Sequence, residues 1–457
     1  MNIGVSKTQQ RKIQAKYAAQ QRWIQKSETE SPPRADATMM AIANFENGST
    51  YTKSKGILAA QGIESPPQTT YFRHQKKVGN KIKQLCNESL QEEAAKMEEG
   101  TVISCDAAFA HRRNSSQCHG AFINAKTGKI VAGSVVTKER KGGDFKGASN
   151  MMETEMISRN LKQIDTSKVI AYCHDRDNKT PQVMTNNNPN MIEKIDPNHG
   201  KKWFQTGWNA LLNGSYRLVQ ATGKGAMNVG QTVTSFVSKQ VSKVKNVEYR
   251  SLFRSVKKHV EAWFVGILYD KEIDSQAKKD KWQTIENHII GDHSKCTHDP
   301  NKETFVWKKA VENKELRKDF HRFVDDMSKV FDRVDPYLTT NPNESLHAFT
   351  AKIADKNTAW SKDGYESRIA YAYLHHNKPN DCSVLIRQRC NAKTNQVDLQ
   401  HIAQKNEQRE KVKAARCSPI YRRQENERRK QFRKSMKSKP GDYIGVPLLQ
   451  LKKESLE

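Results

Sequence analysis

Thr101-Val-Ile-Ser-Cys-Asp-Ala-Ala-Phe-Ala110 reads as a buried strand with a single ionisable group, Asp106, in its middle. A carboxylate there costs several kcal/mol in desolvation unless a partner meets it, and within a strand Asp106 has no helix or turn to cap. Outward from it, residues 117–124 predict a second strand, Lys126-Thr127-Gly128-Lys129 a turn, and the Val- and Ile-rich residues 130–138 a third strand. A polar, Gly-containing loop follows, then a helix near 151–164 and a fourth strand, 169–173, which runs into His174-Asp175-Arg176-Asp177.

A short polar stretch leads to Met191-Ile192-Glu193-Lys194-Ile195, a fifth strand, and to Asp196-Pro-Asn-His199. Three strands, a helix and a strand, with carboxylates inside the first strand and at the end of the fourth, is the order of a ribonuclease-H-like nucleotidyl-transferase core. The expected class is α/β: a mixed five-stranded sheet with helices, interrupted by an all-helical insertion and preceded by a helical DNA-binding unit. Such a core works with two divalent ions about 3.5–4 Å apart on hard oxygen ligands, which suits Mg2+ (or Mn2+). Asp106 supplies one ligand. Asp175 and Asp177 both qualify for the second, Asp175 being nearer the strand end. The third must come from a later helix, and Glu344 is the candidate, in Thr339-Thr-Asn-Pro-Asn-Glu-Ser-Leu-His347. Glu153 or Glu155, on the helix after the third strand, could add a fourth carboxylate or simply face solvent.

The chain has 457 residues, room for two to four domains, with 78 Lys+Arg against 50 Asp+Glu, a net charge of +28. That excess favours a polyanion, nucleic acid before anionic membrane, because no segment approaches eighteen consecutive apolar residues. No secretory signal is expected. Eight scattered cysteines fit a reducing compartment better than a disulfide scaffold. The expected division is a basic helix and linker (1–36), a helix-turn-helix-like unit (37–98) and a first part of the core (99–200). After these come the insertion (201–336), the core's C-terminal helices (337–380) and a basic tail (381–457). In the second unit a helix over 49–61, capped by Ser49 and stopped by Gly62, precedes a basic helix over 68–87 that offers Arg73, Lys76, Lys77 and Lys81 to DNA. The insertion should hold helices at 203–212, 247–269, 281–288 and 314–331. In the tail, residues 401–440 carry 14 Lys/Arg and 4 Asp/Glu, with Arg422, Arg423, Arg428 and Arg429 as further DNA contacts.

The segment from Asp106 to Asn377 resembles the transposase domain of Mutator-like elements, in its animal and protist form. The resemblance rests on Asp106, the Met152-Glu153 pair after a Gly/Ser loop, the Asp175-Arg-Asp177-Asn-Lys turn, Asp196-x-x-His199, Asn343-Glu344-Ser345, and the helix from Arg368 to Asn377. It implies a catalytic triad of Asp106, Asp175 (or Asp177) and Glu344. It also favours an active-site role for Asp196 and His199: His199 would bond the scissile phosphate or orient a carboxylate. The alternative is a structural Asp–His pair that fixes the loop. Separately, His288, His293, Cys296 and His298 have ligand types suited to one structural zinc, or could form a polar loop.

The resulting expectation is a cut-and-paste DNA transposase acting on terminal inverted repeats and target DNA, as a homodimer or higher homo-oligomer, in the nucleus. Two alternatives stand beside it: a ribonuclease-H-like nuclease without strand transfer, and a domesticated, transposase-derived DNA-binding protein.

Overall fold

In the computed structural model, the strand that carries Asp106, β1 (Thr101–Phe109), lies at the centre of a five-stranded sheet. Its companions are β2 (Gln117–Asn124), β3 (Ile130–Thr137), β4 (Val169–His174) and β5 (Ile192–Ile195), in the order β3-β2-β1-β4-β5. The structure describes residues 33–111, 114–175, 179–212, 247–294 and 314–437. The sheet is mixed: β1 is antiparallel to β2 and parallel to β4, and β4 is parallel to β5. Every strand expected from the sequence is present, with ends that differ by a residue. The β2–β3 turn closes as its residues require. Asn124 accepts the backbone N–H of Lys126 and Thr127 on its side-chain oxygen, and Gly128 takes φ +67°.

The helices that precede the sheet are α1 (Ala37–Asn47), α2 (Tyr51–Ala60) and α3 (Gln68–Ala95). Between β3 and β5 lie α4 (Met152–Leu161) and α5 (Thr180–Asn187), the latter where the sequence reads as a polar connection. Its Met184 is fully buried in the sheet core, and that burial offsets a weak local signal. α6 (Pro197–Leu212) follows β5, and α7 (Val247–Leu268), α8 (Ser275–Gln283), α9 (Ile285–His288), α10 (Lys314–Ser328) and α11 (Val330–Arg333) come next. The segments expected as single helices over 281–288 and 314–331 are thus each divided. α12 (Asn341–Ile353), α13 (Lys362–Asn377) and α14 (Cys382–Arg389) complete the first of two compact units, which ends at Asn391. The second unit holds α15 (Gln396–Cys417) and α16 (Pro419–Lys437). The stretch expected as a basic tail is therefore helical through most of its described part, and its first helix, α14, belongs to the first unit.

The two faces of the sheet differ in chemistry. On one, Ile103, Cys105, Phe122 and Tyr172 join Met152, Met156, Ile157 and Leu161 of α4 in an apolar core. On the other, the sheet meets α12 and α13 through polar groups. His119 bonds Tyr365 and Thr350, and Asn377 brackets the Ile130 backbone with two 2.9 Å bonds. The described residues between β5 and α12 build a separate aromatic core around Phe204, Trp208, Phe264, Trp282 and Phe323. The chain leaves the sheet at Ile195 and returns at Val334, its parallel bridge partner, so everything between is a detour from one point on the sheet edge.

α1 and α3 are not a free-standing module. Tyr71, Val78, Ile82, Leu85 and Leu90 of α3 are buried, and Gly79 lets the helix approach Ser367 of α13, where a Cβ would collide with the Ser367 hydroxyl. The continued burial through Leu90 carries α3 to Ala95, eight residues past its expected end. α2 is capped by the Thr50 hydroxyl and not by Ser49, whose carbonyl has another partner. That partner is Arg368, a fully buried guanidinium that donates to the carbonyls of Ile353 (2.9 Å), Asn44 (3.2 Å) and Ser49 (2.6 Å) and lies over the Trp360 ring at 4.1 Å. Burial pushes its pKa down to about 10, still charged at neutral pH. Arg368→Leu would take this donor from three carbonyls and should cost about 3–5 kcal/mol in denaturant unfolding. Arg368→Lys should recover only part of this, since one ammonium cannot span three divergent acceptors.

Candidate active site

On the parallel strands β1 and β4, Ser104 lies opposite Cys173 and Cys105 opposite His174. One step further along both strands come Asp106 and Asp175. Side chains alternate along a strand, so Asp106, like Ser104, points away from the apolar core and toward α12. Asp175, beside the last residue of β4, points the same way: the Thr340 hydroxyl at the start of α12 donates to its Oδ1 at 3.2 Å. Two carboxylates on adjacent central strands therefore face one helix N-terminus.

Asp106 is mostly shielded, with 16% of its side chain exposed. Its Oδ1 accepts the N–H of Ala107 at 2.8 Å, and its Oδ2 lies 3.3 Å from His347 Nε2 on α12. Asp175 is more open and has its own histidine, with His199 Nε2 at 3.1 Å from Oδ1. The same nitrogen is 3.1 Å from Lys202 Nζ, and it can serve only one of these partners at a time. Burial works to raise the Asp175 carboxyl, but the His199 hydrogen bond and charge, the Thr340 hydroxyl and the charge of Lys202 together hold it below the usual carboxylate value.

The helix that closes the site is fixed at three places. Asp196, with no exposed surface, accepts the Thr339 hydroxyl (2.6 Å) and the Thr340 N–H (2.7 Å) on Oδ2, and the Asn198 N–H (2.6 Å) on Oδ1. The Thr340 hydroxyl is also 3.1 Å from Asp196 Oδ2, and its one hydrogen serves either Asp196 or Asp175 at a time. Asn343 is buried beside Asp106. It accepts from Ser104 and donates to the carbonyl of Ala121, the cross-strand partner of Asp106. Thr350 reaches the His119 ring at 3.0 Å. Glu344, in the first turn, is exposed and next to the anchored Asn343.

The expected residues thus fall into groups. Asp106, Asp175, His199, Asp196 and Asn343 converge around the start of α12. Glu344 stands at the rim, with no side-chain hydrogen bond or ion pair among the described residues. Asp177 lies outside the described residues. Glu153 is on α4, which covers the opposite face of the sheet, and its charge acts on the Cys118 thiol there; Glu155 is held by Arg159 at 2.8 Å. Asp196 and His199 are not a side-chain pair: the first clamps α12 and the second meets Asp175. Thr340 and His347 were not foreseen. His347 could have been, since it follows Glu344 by three residues and so shares its helix face.

Among the described residues no three His, Cys, Asp or Glu side chains converge closely enough to hold a metal ion. Asp106 and Asp175 nevertheless have the hard oxygen donors that Mg2+ takes, and Mg2+ sites often use one or two carboxylates with water and phosphate completing the shell. At the second expected metal site, His288 Nε2 lies 3.0 Å from His259 Nε2 on α7, and the His293 ring stands edge-on at 4.9 Å. Cys296 and His298 lie outside the described residues.

Residues 14–301 match the Mutator-like transposase family, a span that takes in β1 to β5 with Asp106, Asp175, Asp196 and His199. The chain belongs to the Mutator-like transposase family. No curated protein matches it significantly. The family match stops short of α12, so the case for Glu344 rests on the anchoring of that helix. Transposases bind DNA, and α3 has one strongly basic side. Its Arg73, Lys76, Lys77 and Lys81 are exposed along the side opposite its buried residues, with no carboxylate of the described residues in ion-pair distance. On α16, Arg423 and Arg428 are exposed, Arg428 being paired with Glu425, while the side chains of Arg422 and Arg429 are outside the described set. No described helix is long and apolar enough to cross a membrane.

The depressed Asp175 carboxyl has a measurable sign. A group whose folded pKa lies below its unfolded value stabilises the protein above the unfolded value, and that contribution disappears as pH falls through the folded one. Asp175→Asn should therefore flatten the fall in melting temperature on acidification from about pH 5 to pH 3 relative to wild type. An identical acid profile would mean that the His199 and Thr340 contacts do not hold the carboxylate in solution.

Proposed function

We propose that this transposase works by the cut-and-paste route, hydrolysing a phosphodiester at each element end and then joining the freed 3′-hydroxyl to target DNA. The observation that carries the reading is the pair Asp106 and Asp175 on adjacent parallel strands, facing a helix start that Thr340 and Asn343 tie to both. Two divalent ions, Mg2+ or Mn2+, held by Asp106, Asp175 and Glu344, would polarise the phosphate and lower the pKa of an attacking water or hydroxyl. The chain's own part is positioning. Asp196 keeps the α12 start against the strands, His199 and Thr340 fix the Asp175 carboxylate, and Glu344 stands in the first turn of that helix beside the anchored Asn343.

The helices between β5 and α12 are read as an insertion into a ribonuclease-H-like core, since the chain departs from and returns to one point on the sheet. The basic side of α3 and the second unit would hold the element end and the target. Joining two ends calls for two copies of the chain, and access to chromosomal DNA calls for the nucleus. A zinc ion on His288 and His293, with Cys296 and His298, would pin the helical segment.

The test uses a pre-cleaved element end with a 3′-hydroxyl, a supercoiled plasmid and Mg2+ or Mn2+. Wild type should yield covalently joined product, and Asp106→Asn, Asp175→Asn or Glu344→Gln should each abolish cleavage and joining while DNA binding stays near wild type. Hydrolysis with no joined product at saturating end binding would favour a simple nuclease. Specific binding with neither product would favour a domesticated DNA-binding protein. Full activity in Glu344→Gln would remove Glu344 from the site.

The α3 surface gives a separate expectation. Replacing Arg73, Lys76 and Lys77 with Ala should weaken binding to the element end, and for every DNA phosphate no longer neutralised the log–log salt dependence should flatten by about 0.9. Equal weakening on all sequences would indicate backbone contact, and a vanished preference for the terminal repeat would indicate base readout. Unchanged affinity would move recognition elsewhere.

A further inference from the structure

We propose that His347 is the positioning residue of Asp106, the counterpart of His199 at Asp175. The proposal rests on the reading of Asp106 as a metal ligand given above.

His347 Nε2 lies 3.3 Å from Asp106 Oδ2, and the two side chains are only 13% and 16% exposed, so the contact is largely out of water. Both ring nitrogens of His347 are buried and neither has a hydrogen-bond partner. The 3.3 Å approach is close enough for an ion pair but is not aligned as a hydrogen bond. Leaving a buried imidazole in that condition is costly, and such groups are expected to have a use. Contacts of this kind are often long or misaligned in an unliganded site and tighten when it fills.

The ring also has little freedom to go elsewhere. Asn343 and Thr350, roughly one turn on either side of His347, are both anchored to the sheet, which fixes the stretch of α12 between them. Behind it stands His119, edge-on with ring centroids 5.4 Å apart. The His119 nitrogens are already committed to the Tyr365 hydroxyl (2.7 Å) and Thr350 Oγ1 (3.0 Å), so His119 backs His347 without bonding it.

The consequence for Asp106 follows from its other oxygen. Oδ1 is held by the Ala107 N–H at 2.8 Å. An Nε2–H donated to Oδ2 fixes the carboxylate at both ends and so sets which lone pairs it presents. Groups that orient a metal-binding carboxylate or imidazole in this way typically matter by about 10–100-fold in metal affinity or activity.

The experiment uses the full chain with His347→Ala, His347→Gln, His347→Asn and Asp106→Asn. Mn2+ binding is read by calorimetry without DNA, and cleavage of an element end is resolved into kcat and KM. His347→Ala should lose about 10–100-fold in Mn2+ affinity and in kcat with KM for DNA unchanged. His347→Gln should regain most of both, because its amide N–H can occupy the place of Nε2–H, whereas the shorter Asn should not. If Ala prevents folding, the Gln and Asn variants carry the test alone. Wild-type Mn2+ affinity and kcat in His347→Ala would overturn the proposal, as would equal losses in Gln and Asn. Asp106→Asn separates the two levels. If it is inactive while His347→Ala is fully active, only the role of His347 falls; if it cleaves normally, the reading of the site falls, and this proposal with it.

Discussion

The site depends on a buried carboxylate that does not itself face the proposed substrate. Asp196 follows β5 directly and receives hydrogen bonds from the Thr339 hydroxyl and the Thr340 N–H, residues 143 and 144 positions later in the chain, with the Thr340 hydroxyl within reach as a shared donor. For a flexible loop of that length the length-dependent part of the closure entropy is about 4 kcal/mol. The two unshared bonds to a charged acceptor contribute about 1.5–3 kcal/mol each, which is comparable with that cost. The helical segment between folds around its own aromatic core, which shortens the effective loop further. The result is that α12 starts beside β4 and not merely somewhere on the sheet.

The sheet then separates two kinds of work. Its α4 face is filled by Ile, Phe, Met and Tyr side chains that hold it together. Its α12 face mixes small apolar residues with polar groups that are matched to one another: Ser104 to Asn343, His119 to Thr350 and Tyr365, Asp175 to Thr340 and His199. Putting two carboxylates side by side in a protein interior is unfavourable unless donors meet them. Around Asp175 the start of α12 and the first turn of α6 supply those donors, around Asp106 the Ala107 N–H does, and the outer side of Asp175 stays open.

The high positive charge is distributed over surfaces that also serve the core. On α3 one side packs against α13 and the other carries four cations in solvent, so a single helix contributes both to the interior and to the basic exterior. Arg368 ties the neighbouring elements together, its guanidinium joining α1, the loop before α2 and the end of α12.

The strand pattern was legible from the chain alone. Short, largely apolar runs bounded by turn and polar residues marked the strands, and Asp106 announced itself as an ionisable residue with no local role. The order of elements was enough to nominate Asp175 and Glu344, and the resemblance to Mutator-like transposases added Asp196 and His199. α5 was missed because its polar sequence has little besides Met184 to bury, and the end of α3 because burial, not propensity, extends it. Which partners the nominated residues take was not written locally. That Asp196 clamps Thr340 while His199 meets Asp175, that Asn343 docks beside Asp106, and that His347 follows it inward, all depend on how distant segments meet on the sheet. Local periodicity fixes which face of an element is apolar; only the packed sheet, with its parallel β1–β4 register, decides which polar groups are brought within hydrogen-bonding distance of one another.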